Sequence, residues 1–221
     1  MLSRRMGAAV VVYSLLAAVA LAWTLLRRQS PLSLSADAAW LSGALPLPTR
    51  VAVSAVLGLA LGLVAVRGTK ELVRRTRWAE RLHIELRARV GPLTGARIAF
   101  FALMSGVSEE LFFRGALQPL VGIWLTSLVF GAVHIGPTRA FVPWTLWAAV
   151  MGLLFGTVYQ ATGSLAGPVL AHVLINYENL HYLVSYDPVT VARERRITPE
   201  SPSLVGPRVR TSGRSTPADP T

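Results

Sequence analysis

The chain of 221 residues contains no cysteine. Disulfides, thiolate zinc sites, iron–sulfur clusters and cysteine nucleophiles are thereby excluded. Charge is scarce as well: 15% of the residues are Asp, Glu, Lys or Arg, where a soluble domain carries about 25%. Lysine is nearly absent, Lys70 standing alone, so the net charge of +11 is an arginine charge; such a bias points to a GC-rich bacterial genome. What remains is apolar, with 52% hydrophobic residues and a mean hydropathy of +0.49. This balance excludes an ordinary cytosolic enzyme. The arginines are clustered, which fits the basic loops of a membrane protein better than a nucleic-acid surface, so no nucleic-acid partner is expected. Neither G-x-S-x-G nor HExxH occurs, the apolar runs hold no aspartate for an aspartyl dyad, and there is no repeat of solenoid length.

Crossing a hydrocarbon core of ~30 Å takes about 20 apolar residues. Runs at 7–26, 49–66, 96–119, 120–135, 141–160 and 165–184 qualify, so the chain is expected to be an all-α, polytopic integral membrane protein with about six spans. Its expected divisions are two membrane helices over 1–66, a basic linker or surface helix over 67–95, a four-helix core over 96–184 and a disordered, proline-rich tail over 185–221. The first run follows Arg4 and Arg5 and, with five further runs behind it, reads as an uncleaved helix rather than a signal peptide. Gly58 and Gly62, and again Gly152 and Gly156, have the small-xxx-small spacing of packed membrane helices. Counting basic residues places the N-terminus, linker, Arg139 and tail in the cytoplasm of a bacterial inner membrane, with Arg27, Arg28 and Arg50 opposite.

Between Ile98 and Val184 only Glu109, Glu110, Arg114, Arg139 and Glu178 are formally charged. Even on the gentlest scale a charge in mid-bilayer costs about 2.5–3.5 kcal/mol, so three within six residues need partners and usually a purpose. On a helix Glu110 and Arg114 stand four apart, acid first, the favoured order for an ion pair. Glu109 points about 100° away and is left free, a candidate general base. His134 follows Phe130 by one turn, and His172 and Asn176 share one face of the last run.

EExxxR at Glu109–Arg114, FxxxH at Phe130–His134 and HxxxN at His172–Asn176 stand in the order and spacing of the CPBP family. The segment 96–184 thus resembles the CAAX-protease and bacteriocin-processing (Abi, type II CAAX prenyl endopeptidase) group of intramembrane proteases. The resemblance implies a membrane endopeptidase in which Glu109 and His134 activate a water. It implies that His172 and Asn176 stabilise the oxyanion and that Glu110 and Arg114 hold the first glutamate in place. The implied partner is a membrane-associated peptide or protein in the lipid bilayer. The family is often labelled metalloprotease, and Glu109, His134 and His172 could supply a His₂Glu zinc set; a metal-free route, needing no cofactor, is the preferred expectation. Two rivals stand beside this reading: an inactive immunity or scaffold protein of the same fold, and a proton-coupled transporter using the same groups as a relay.

Overall fold

The computed structural model describes residues 4–30, 32–33 and 39–191. The tail expected to be disordered lies, from residue 192 on, outside the described residues. Two units are separated at residues 187 and 188, the first holding all the long helices; of the second, residues 188–191 are described, as a helical turn. Among the described residues the only extended pairing is an isolated bridge between Ser33 and Ser164. The fold is all-helical, as expected.

The helices are α1 (Arg4–Leu26), α2 (Leu47–Arg75), α3 (Arg77–Val90), α4 (Gly95–Glu110), α5 (Gln118–Ala132), α6 (Val142–Thr162) and α7 (Ala166–Ser185). A π-helical segment, Leu111–Leu117, joins α4 to α5. Among the described residues four stretches are long and apolar enough to cross a membrane: Met6–Leu26, Leu47–Arg75, Gly95–Ala132 and Arg139–Thr162. Helix α7 is long enough, but His172, Asn176, Glu178, Asn179 and His181 dilute its apolar character. The outer surface suits lipid, with Leu25, Trp124, Leu128 and Ile135 all more than 60% exposed.

The helical run Gly95–Ala132 is not straight. A straight helix would hold Glu109 and His134 about 37 Å apart, yet their side chains meet at 3.9 Å. The rings of Phe113 and Phe130 likewise meet at 4.9 Å. The chain turns back at Gly122, whose φ of 80° and ψ of 168° are open to glycine and strained for other residues. The break expected near Pro119 therefore falls three residues later, inside an otherwise unbroken ladder. Helix α2 also runs further than its apolar stretch, carrying Arg67, Lys70, Arg74 and Arg75 as the continuation of a membrane helix.

Glycine lets α2 and α7 touch. Gly58 lies directly against the backbone of Gly167, leaving no room for a methyl, and Ser54 Oγ accepts from Gly167 N at 2.9 Å while donating to Ser164 O at 3.0 Å. The pair Gly152 and Gly156, a possible second packing face by spacing, is used internally. Gly152 packs on Phe130 and Ser127 of α5, and Gly156 on Gln118 and Ile123.

Hydrogen bonds gather the connections at two opposite ends. Arg50 to Thr162 O (3.0 Å) and Trp40 N to Gln160 O (3.1 Å) join the α1–α2 and α6–α7 connections. His83 to Tyr186 O (3.0 Å) and Thr138 to Glu85 (2.9 Å) join α3 to the α7 terminus and to the α5–α6 loop. Arg50 is thus a buried, bonded side chain at 7% exposure, and not the free loop charge that a count of basic residues takes it for.

Candidate active site

Three elements converge on one point: the end of α4, the end of α5 and the middle of α7. The pairing expected from spacing is present. Arg114 Nη1 donates to Glu110 Oε1 at 2.9 Å, and both side chains are fully buried. The guanidinium also donates to Gly152 O at 2.8 Å and lies 4.6 Å from the Phe130 ring centroid and 5.4 Å from that of Phe155. A buried charge is tolerable when paired and hydrogen-bonded in this way. The π-helical turn begins at once after Glu110; such turns are frequent at functional sites because they re-aim the side chains around them.

Glu109 faces elsewhere. Its Oε2 is buried with no hydrogen-bond partner and stands between two imidazoles, 3.9 Å from His134 Nε2 and 4.0 Å from His172 Nε2. Each ring has its other nitrogen engaged. His134 Nδ1 donates to Phe130 O at 2.6 Å, and His172 Nδ1 donates to Glu110 Oε1 at 2.7 Å, since an ionised carboxylate held by an arginine can only accept. In the neutral form of either ring Nε2 is a bare acceptor turned toward Glu109.

Asn176, one turn beyond His172, donates from Nδ2 to Ser105 Oγ at 2.8 Å. Ser105 spends its own proton on Phe101 O at 2.7 Å, so its oxygen can only accept and the amide orientation is set. Spacing alone does not reveal Ser105 or the Glu110–His172 contact, because both link residues more than 60 positions apart. The weak signal for Ser105 is its place four residues before Glu109, on the same face of an apolar helix.

Glu109, His134, His172, Asn176 and Ser105 all line one cavity of about 850 Å³. Its other walls are mainly apolar, among them Tyr13 of α1, Trp78, Leu82 and Leu86 of α3, and Trp144 and Trp147 of α6, with His83, Arg89 and Asn179 also on the lining. A carboxylate with two imidazoles at this spacing can hold a water and take its proton. Hydrogen bonds of ~2.8 Å to one water span pairs up to ~4.6 Å apart, which accommodates the observed separations. A tetrahedral zinc with bonds of ~2.0–2.2 Å holds its ligand atoms only ~3.4 Å apart. As the side chains stand, Glu109 Oε2 is farther than that from both Nε2 atoms, and among the described residues no three His, Asp or Glu are placed to hold a metal ion. The locked histidine tautomers do suit metal ligation; the spacing does not.

Comparison with known proteins falls on this same region. Residues 92–177 match the family described as type II CAAX prenyl endopeptidase, Rce1-like. That match covers the segment that builds the site. The chain is also 38% identical over 81 residues to the uncharacterized protein YpbD of Bacillus subtilis, a match covering 36% of this chain and 41% of that relative. The chain thus spans less than half the length of this curated relative. No solved structure matches. The Rce1-like match contains Glu109, Glu110, Arg114, His134, His172 and Asn176, and leaves α1, α2 and α3 outside it.

Proposed function

We propose that the chain is an intramembrane endopeptidase of the type II CAAX kind, hydrolysing a peptide bond with a water held by Glu109 and His134. The observation that carries this reading is the unpartnered Glu109 Oε2 between two imidazoles at the wall of a large cavity. Glu109 takes one proton of the water while His134 Nε2 accepts a hydrogen bond from the other, and the hydroxide attacks the carbonyl carbon. The tetrahedral oxyanion so formed meets Asn176 and His172; as it collapses the carbon–nitrogen bond breaks and Glu109 returns its proton to the leaving amine. His172 can donate there only as an imidazolium, because its Nδ1–H is already given to Glu110. One added proton also balances the buried charges of Glu109, Glu110 and Arg114. The apolar walls favour a membrane-associated peptide or protein as substrate.

In this proposal the chain crosses the inner membrane of a bacterium six times, with α3 and both ends on the cytoplasmic side. The experiment is comparative proteomics of membranes from cells expressing wild type or Glu109→Gln. The variant keeps the shape of the side chain but accepts no proton, so it is expected to fold and insert normally while a membrane substrate accumulates uncut. Wild-type-like turnover by Glu109→Gln would end the proposal.

A further inference from the structure

Helix α3 lies outside the matched segment, and its sequence alone suggests an amphipathic helix on the membrane surface or in solvent. The structure puts its apolar side to another use. Trp78, Leu82 and Leu86 line the cavity that holds Glu109 and both histidines. On one flank α3 is tied to the end of α7: His83 bonds Tyr186 O, and Arg87 donates to Leu183 O at 2.7 Å and to Val184 O. On the other flank it is tied to the α5–α6 loop, where Thr138 donates to Glu85 and the Arg89 guanidinium lies 5.0 Å from the Phe141 ring. The two flanks belong to the elements that carry His172 with Asn176 and His134. Each end of α3 is a backbone break: Thr76 is extended between α2 and α3, and Gly91 has a φ of 70°. A rod between two pivots, held by side-chain bonds and by the packing of Ala79 with Val73 and Tyr182, has the construction of a hinged element.

We infer that α3 is a strap across the mouth of the active-site cavity, and that release of its Arg87 and Glu85 ties governs entry to Glu109. Those ties are charge-assisted hydrogen bonds to the carbonyls of α7 and to a threonine hydroxyl, and their loss favours the open position without touching any reacting group. This inference concerns access and does not require that the chain cut peptides, so its test uses no substrate.

Because the chain has no cysteine, Ser105→Cys places a single thiol deep in the cavity. The full-length variant in lipid vesicles is labelled with two probes, N-methylmaleimide and a maleimide carrying a 2-kDa polyethylene glycol. Adding Glu85→Ala and Arg87→Ala is expected to speed labelling by the bulky probe at least about tenfold, the factor that one charge-assisted bond supplies, with a much smaller change for the small probe. Adding Thr138→Lys instead, which sets an ammonium against Glu85, is expected to slow the bulky probe. Unchanged bulky-probe rates in both backgrounds would overturn the inference. Equal acceleration of both probes would also overturn it, since that is the mark of general loosening rather than an opened mouth.

Discussion

At the scale of single residues, two neighbouring glutamates divide the work because one helical step separates their directions. Glu110 is committed to Arg114 and His172, and Glu109 is free to face the cavity. Replacing Glu110 or Arg114 by alanine leaves its partner charge buried and unpaired, a loss on the order of 3–5 kcal/mol, to be read as a lowered Tm in detergent. The double replacement is expected to be milder than either single one. It will not return fully to wild type, because His172 Nδ1 still loses its acceptor. Equal melting of wild type and both single variants would dismiss the pair. The metal question is open to measurement at the same scale. Metal-free catalysis predicts substoichiometric zinc by mass spectrometry in purified wild type, activity that survives chelation, and a drop of about 10²–10³ in kcat for Asn176→Ala as one oxyanion donor is lost. Near-stoichiometric zinc that disappears together with activity in His172→Ala would reverse that reading.

At the scale of elements, α3 owes its position to His83, Glu85, Arg87 and Arg89 as much as to its apolar side. His83 is 5% exposed. Burial pushes its pKa below the ordinary 6.5; the nearby Arg87 acts in the same sense, and the Tyr186 carbonyl and Asp187 oppose, with the Tyr182 and Tyr186 rings packed edge-on around it. The docked helix therefore resists a proton that the undocked helix accepts. Docking is at full strength above the ordinary value and weakens as pH falls through the lowered one. Amide exchange over residues 77–90, corrected for intrinsic rates, is expected to be faster at about pH 5.5 than at about pH 7.5, and His83→Gln should remove the difference. The elements show where sequence reading succeeds and where it stops. The Glu110–Arg114 pair was legible because i, i+4 geometry is local, and a packing face on α2 was legible in Gly58 and Gly62, though not that α7 would fill it. The site of α3 was not, since an amphipathic pattern tells that one side is covered but not by what. The internal use of Gly152 and Gly156 was hidden for the same reason. Ser105 and the Glu110–His172 bond depend on helices brought together from distant parts of the chain, and no spacing encodes them.

At the scale of the whole molecule, the bonded connections sort into two ends, with the α1–α2 and α6–α7 connections at one and α3, the α5–α6 loop and the α7 terminus at the other. Compartment reporters inserted after residue 76 and after residue 187 are therefore expected to read the same side, and a reporter at residue 43 the opposite one. A shared reading at all three would contradict the arrangement. The order of helices along the chain has a consequence for biosynthesis. The hairpin turned at Gly122 brings Glu109 and His134 together from within one short stretch, so that half of the site can assemble soon after it leaves the ribosome. His172 and Asn176 arrive only with α7, the last of the long helices among the described residues. A nascent chain halted before α7 holds a carboxylate and a histidine but no donors for an oxyanion, and Glu110 lacks its second partner. On the proposed mechanism a chain built in this order stays inert while it is being made, and completion of α7 is the step that arms it.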